Sequence, residues 1–160
     1  MAYLLDTNVF IEARNRYYAF DLCPGYWDWL DDAVDDGRIV SLANVRDELT
    51  DPELDAWSAA RDGLFRRVGA SEIDGLRRVA QWANGAGYER AAVSTFLQGA
   101  DYYLVGAALA NGYTMVTHEV PSPSRKQIKI PDACVALGIE FLNTFTMLRR
   151  ERVRFVLRAS

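Results

Sequence analysis

The sequence predicts an α/β domain of three layers, with a mostly parallel central sheet of about five strands and helices on both faces. Three observations carry that expectation. Short apolar runs alternate with longer segments of helical period over the whole chain. Turn and cap signals, such as Gly37, Asn111-Gly112 and Gly138, fall between the two kinds of segment. No internal repeat or low-complexity linker divides the 160 residues, so one domain over 1–160 is expected.

In chain order, Tyr3-Leu4-Leu5 reads as a buried strand ending at Asp6-Thr7-Asn8. Pro24 opens an amphipathic helix through Tyr26, Trp27, Leu30 and Ala33 that stops near Gly37. Arg38 to Leu42 is the second predicted strand, and Asn44 is a cap for a helix carrying Val45, Glu48 and Leu49. Helices are expected from Asp51-Pro52, from Ser71 to Asp74 onward, over Tyr88 to Leu97, and from Asp101 to Asn111. Thr114 to Thr117 is a strand, Val120 to Lys129 a polar loop, and Pro131 starts a brief helix ending at Gly138. Ile139 to Leu142, a helix over Thr144 to Arg150, and a last strand over Val153 to Leu157 complete the pattern.

The formal charge of −4 argues against broad nonspecific binding of nucleic acid, although its distribution is uneven. The only lysines, Lys126 and Lys129, share one short segment with Arg125, and five arginines fall in the last twelve residues. Such local basic strips hold a polyanion when metal supplies part of the attraction; a solvated surface is the plainer reading of any single arginine. Cys23 and Cys134 lack zinc-ligand spacing and read as buried thiols. No run approaches the roughly 20 apolar residues of a membrane span. Met1 to Asp6 lacks a signal-peptide pattern, so a cytoplasmic location is expected.

In a parallel α/β sheet, functional groups gather beyond the C-terminal ends of the strands. Asp6, Glu48, Asp101 and Glu119 all fall where such a sheet converges its loops. Magnesium and manganese are hard cations suited to such oxygen ligands. Each acid alone has a plain reading: Asp6 and Asp101 as helix caps, Glu48 as a solvated side chain, Glu119 as a loop residue. The inference rests on the four together.

The chain also resembles the PIN-like superfamily, the nuclease fold of many bacterial toxin components. Tyr3-Leu4-Leu5-Asp6-Thr7-Asn8-Val9-Phe10 is similar to its N-terminal signature. Val45 to Leu49 resembles the helix carrying the second acid, and Gly99 to Ala108 the helix carrying the third. Val116-Thr117-His118-Glu119 stands where the family has Thr-x-Asp. Within the superfamily, Asn15 to Tyr18, Cys23 to Leu30, Thr117 to Pro121, Ile128 to Asp132 and Asn143 to Phe145 resemble an uncharacterised branch.

The resemblance implies a metal-dependent endoribonuclease of a toxin–antitoxin pair. Asp6, Glu48, Asp101 and Glu119 would hold Mg2+ or Mn2+ and carry catalysis, with RNA as substrate, a cognate antitoxin and a homodimeric state. Thr7, Asn8 and Thr117 are candidates to orient the acids by hydrogen bonds. Asp132 is a candidate fifth carboxylate, against the plainer reading of a helix-start residue. His118 adjoins Glu119, but successive strand residues point to opposite faces, so a structural role is preferred for it. Arg14, Arg16, Lys126 and Lys129 are candidate contacts to nucleic acid, and the aromatics from Tyr17 to Trp29 either stack on bases or pack in a core. Two departures stand out: Glu119 replaces an Asp, and Pro121 to Pro131 is an insertion-like loop. The rival reading is an inactive PIN-like module that binds RNA or serves as a scaffold. A phosphate-accepting aspartate domain fits poorly, because Thr7 and Asn8 follow Asp6 where a second acid belongs.

Overall fold

Leu4 and Leu5 are fully buried, and the strand that carries them, β1 (Tyr3–Leu5), is the axis of the sheet. The computed structural model describes residues 2–158; Met1 and residues 159–160 of the expected single domain lie outside the described residues. After β1 comes α1 (Thr7–Glu12), which continues into a π-helical turn over Ala13–Tyr17. Pro24 then sits in the first turn of α2 (Pro24–Asp35), where its missing N–H costs nothing. Next follow β2 (Ile39–Leu42), α3 (Ala43–Arg46), α4 (Pro52–Ala59) and β3 (Phe65–Arg66). A 3-10 turn at Ala70–Glu72 leads into α5 (Ile73–Gly85), α6 (Arg90–Gln98) and α7 (Ala100–Asn111). The chain ends with β4 (Thr114–Val116), α8 (Ile130–Leu137), β5 (Phe141–Leu142) and α9 (Thr144–Arg150).

The five strands form one all-parallel sheet in the order β3-β2-β1-β4-β5, flanked by helices, as the alternating pattern predicts. From β1 the chain first builds outward through β2 and β3, then returns across to β4 and β5. The direction reverses between β1 and β4, where the two following connections leave to opposite sides and open a crevice. Asp6 and Thr117 are the residues immediately past these two strands. The Asp6 amide donates to the Val116 carbonyl at 3.0 Å, which closes the pairing up to the lip of that crevice.

Three elements differ from the sequence expectation. Val153 to Leu157 is not a strand. Arg152 adopts φ 58°, turning the chain back, and Phe155 lies against Gly25 and the rings of Tyr18 and Tyr26. The Arg/apolar alternation of the tail therefore meets an aromatic surface instead of a sheet edge. The fifth strand is Phe65–Arg66, too short to show any period. The helix expected to carry Glu48 ends at Arg46, with Leu42 rather than Asn44 at its N-cap. The aromatics near α2 resolve mainly into core: Tyr26 is fully buried, Trp27 stacks on Phe20, and the Trp27 indole donates to the Tyr18 carbonyl at 2.7 Å.

The layer formed by α5 and α7 depends on two glycines at their crossing. A Cβ on Gly75 would stand 2.5 Å from the Gly106 carbonyl oxygen, and one on Gly106 would stand 2.4 Å from Leu76 Cδ2. Backbone meets backbone at the first of these, so no side chain can yield. Gly75→Ala should therefore destabilise the protein by at least about 2 kcal/mol despite the higher helix propensity of alanine; chemical denaturation measures it, and a neutral result would contradict this packing.

Where α5 begins, Glu72 is 1% exposed yet charged. Burial raises its pKa. That effect is outweighed by hydrogen bonds from the Gly69 amide at 2.8 Å, Arg66 at 2.7 Å, Asn111 at 3.1 Å and Ser71 at 3.0 Å, which leave the pKa at about 2. A carboxylate with a depressed folded-state pKa stabilises the fold above its ordinary value of 4.5 and loses that contribution as pH falls towards about 2. Glu72→Ala should cost roughly 3 kcal/mol at pH 7, shrinking through that acid window, as read from denaturation at a series of pH values. An equal loss at pH 2 and pH 7 would place the effect in packing rather than charge.

Candidate functional site

Four carboxylates reach the crevice from four separate segments. Asp6 is the N-cap residue of α1, directly past β1; Glu48 lies in the turns that follow α3; Asp101 is in the first turn of α7; Glu119 follows β4. Their convergence is visible in their charges. Burial foremost, with Glu119 and Glu48 adding to it, pushes Asp6 up to about 6, against a hydrogen bond from Thr117 and another from the Thr7 amide. Burial, then the charges of Asp6, Glu119 and Glu48, push Asp101 up to about 7, and Lys129 acts the other way. Glu48 is raised by burial, opposed by a hydrogen bond from the Thr7 side chain.

Two threonines hold this arrangement. Thr117 is 2% exposed, and its hydroxyl donates to Asp6 Oδ2 at 2.9 Å while accepting the Glu119 amide at 3.1 Å. One hydroxyl thereby couples the ends of β1 and β4. Thr7 supports the other pair: its backbone amide favours the ionised form of Asp6 and its side chain that of Glu48. Asn8, the third residue expected to orient the acids, has an exposed side chain.

Glu119 Oε2 accepts the Ile130 amide at 2.9 Å at the start of α8, so this acid also anchors the far end of the 120–129 loop. Asp132 anchors the near end, accepting the Ser122 amide at 3.1 Å, so its carboxylate is engaged by the loop. His118 points elsewhere. Its Nε2 lies 3.0 Å from Thr144 Oγ1, its ring packs against Tyr17 and Phe145, and burial lowers its pKa.

The cations divide into two groups. Arg14 is tied to Glu53 at 2.6 Å and Asp51 at 3.3 Å, and Arg16 pairs with Glu12 at 3.2 Å on a mostly exposed surface. The charge of Lys129 acts on Asp101, and Lys126 lines a groove of about 560 Å³ that begins at Glu48 and Asp101. The opposite side of that groove is α6, which sequence reasoning assigned no role. Its Ala91, Ala92 and Thr95 are small residues whose shared exposure to a cavity leaves no mark in the hydrophobic period.

Among the described residues, no three His, Cys, Asp or Glu side chains form a ready metal shell. The donor chemistry nonetheless fits a hard divalent cation. All four groups are carboxylates, two are held well above their ordinary pKa by burial and by the neighbouring acids, which a cation would oppose, and magnesium keeps several waters while using one or two protein carboxylates. Without a cation the acids oppose each other, and the consequence for stability has a definite sign. A carboxyl whose pKa is raised on folding binds its proton more tightly in the native state. Stability is therefore highest in acid and falls as pH rises from 3.8 through about 7. In EDTA, Asp101→Asn should be more stable than wild type at pH 8, by an order of 2 kcal/mol, with the gap closing near pH 4. Thermal denaturation at the two pH values tests it, and a destabilised variant at pH 8 would show that the acids are not mutually opposed.

Residues 3–155 match the family described as "Domain of unknown function (DUF4411)". No curated protein matches the chain. Among solved structures, the fold is similar to a chain of VapBC2 from Rickettsia felis, solved bound to a DNA fragment from their promoter. That likeness has a TM-score of 0.55 and 16% identity, and covers 89% of this chain and 98% of that one. Among the described residues, no helix is long and apolar enough to cross a membrane. With its five parallel strands, its acids at the β1–β4 switch point and this family match, the chain belongs to the DUF4411 family and has a PIN-like fold of the VapC kind.

Proposed function

We propose that the protein is a metal-dependent nuclease that hydrolyses phosphodiester bonds in RNA. The observation that carries this reading is the convergence of Asp6, Glu48, Asp101 and Glu119 at the β1–β4 switch point. Asp6, Glu48 and Asp101 would hold Mg2+ or Mn2+, with Glu119 completing the set. The bound ion would lower the pKa of a water and offset charge developing on the scissile phosphate and leaving oxygen.

The chain's own residues prepare that chemistry. Thr117 and Thr7 hold Asp6 and Glu48 by hydrogen bonds, so the acids do not spend binding energy on becoming ordered. Lys129 sets a positive charge beside Asp101, where it can meet a phosphate approaching an otherwise anionic crevice. The likeness to VapBC2 supports a toxin role with an antitoxin as partner. On this reading the antitoxin would cover the acidic crevice, and the homodimer implied by family resemblance belongs to the same proposal.

The test is cleavage of a panel of single-stranded and structured RNAs by wild type and Asp6→Asn, in magnesium, manganese or EDTA. Cutting by wild type in a divalent cation, lost in EDTA and reduced at least about 100-fold in the variant, is the expected result. Absence of cutting together with absence of manganese binding would favour the inactive RNA-binding or scaffolding module.

A further inference from the structure

The groove beside the acids has the build of a binding site in its own right. Its volume of about 560 Å³ lies within the ~300–1,000 Å³ range that takes a single small ligand and is far too small for a duplex. Phe96, Ala92 and Ile128, each 5% exposed, line its apolar part. Thr95, Gln127 and Lys126 supply the polar groups.

The outer wall is preformed. The Arg125 carbonyl accepts the Glu89 amide at 2.9 Å, and its guanidinium donates to the Ala86 carbonyl at 3.0 Å and lies over the Tyr88 ring. Glu119 and Asp132 hold the two ends of the same loop. A polar loop of this length is costly to order, and five separate contacts, three with the connection between α5 and α6 and two with α8, hold it in place. Of the chain's two lysines, Lys126 lines the space, and Lys129, three residues on, acts electrostatically on Asp101 at the acid end. In a protein of net charge −4 that placement forms a short cationic track leading out of an anionic centre.

We propose that this groove is a subsite for one nucleotide of a single strand, lying beside the phosphate that the acids address. Lys129 and Lys126 meet successive phosphates, the base rests on the apolar surface of Phe96 and Ile128, and Thr95 and Gln127 face its polar edge. A base is available for such contacts only when it is unpaired, so the site selects single strands. This inference rests on the nuclease reading above.

The experiment uses the full chain carrying Asp6→Asn, expected not to cut, with manganese present. Fluorescence anisotropy follows a labelled RNA of about twelve nucleotides, the same sequence as DNA, and the RNA as a duplex. Thr95→Trp, which fills the groove, and Lys126→Glu, on the exposed wall, are each added to that background. Single-stranded RNA should bind more tightly than duplex, and each added substitution should weaken it by about tenfold. Melting curves check Thr95→Trp for folding, and Lys126→Glu keeps the test valid if tryptophan is not tolerated. Unchanged affinity in a folded Thr95→Trp and in Lys126→Glu, or equal binding of duplex, would overturn the groove while leaving the nuclease reading intact. A parent that binds none of the three strands, with a wild type that cuts none, would overturn the nuclease reading itself. The DNA arm decides whether the sugar is read in this groove.

Discussion

The hydrogen bond from Thr117 to Asp6 joins the ends of two strands that lie 111 residues apart in sequence, and the site depends on it. Parallel strands cannot be joined by a tight turn, so β1 and β4 meet only after the whole of α2 to α7 has been laid down. Their pairing places Leu5 beside Val116, and the next residue on each strand then falls at the same lip. Asp6 is buried there at 3% exposure. A carboxylate so placed is tolerable only because Thr117 and the Thr7 amide donate to it. The tertiary pairing thus comes first, and the chemistry is what its two free ends can present.

Around this axis the molecule treats charge in two opposite ways. Glu72 is as buried as Asp6, but four donors surround it and it is held far below the ordinary carboxylate range. Asp6 and Asp101 are surrounded by further carboxylates and are held well above it. The first arrangement stabilises the join between the 3-10 turn and α5. The second costs stability and leaves an unmet demand for positive charge, which is the usual signature of a functional site. Burial raises all three; only at Glu72 do the neighbours reverse the sign, whereas at Asp6 and Asp101 the other acids add to it.

The long connection between β4 and α8 serves this demand. Glu119 and Asp132 look alike in sequence as additional acids, yet the fold separates them. Glu119 remains within reach of Asp101 while capping Ile130, whereas Asp132 turns its carboxylate to the Ser122 amide. Between these two anchors the loop carries both lysines of the chain, Lys126 along one side of the groove and Lys129 where its charge acts on Asp101. A structural use of acidic side chains thereby positions the basic ones.

Much of this protein is legible in its sequence because local signals report local requirements. The apolar runs at β1, β2 and β4, the prolines opening α2, α4 and α8, and the glycines at 112 and 138 mark elements through backbone preference and hydrophobic period alone. Those elements, alternating as they do, suffice for a parallel sheet and for the positions just past its strands where Asp6 and Glu119 stand. What required the tertiary structure is whatever depends on distant partners. Phe65–Arg66 becomes a strand only because β2 offers an edge to it, and the Val153 to Leu157 segment fails to become one because Phe155 finds the rings of Tyr18 and Tyr26 first. Strand pairing, unlike helix formation, is satisfied by hydrogen bonds to another part of the chain, so sequence period alone cannot decide it. The same reason separates Glu119 from Asp132 and brings α6 to the site: both outcomes are set by what the fold packs alongside them.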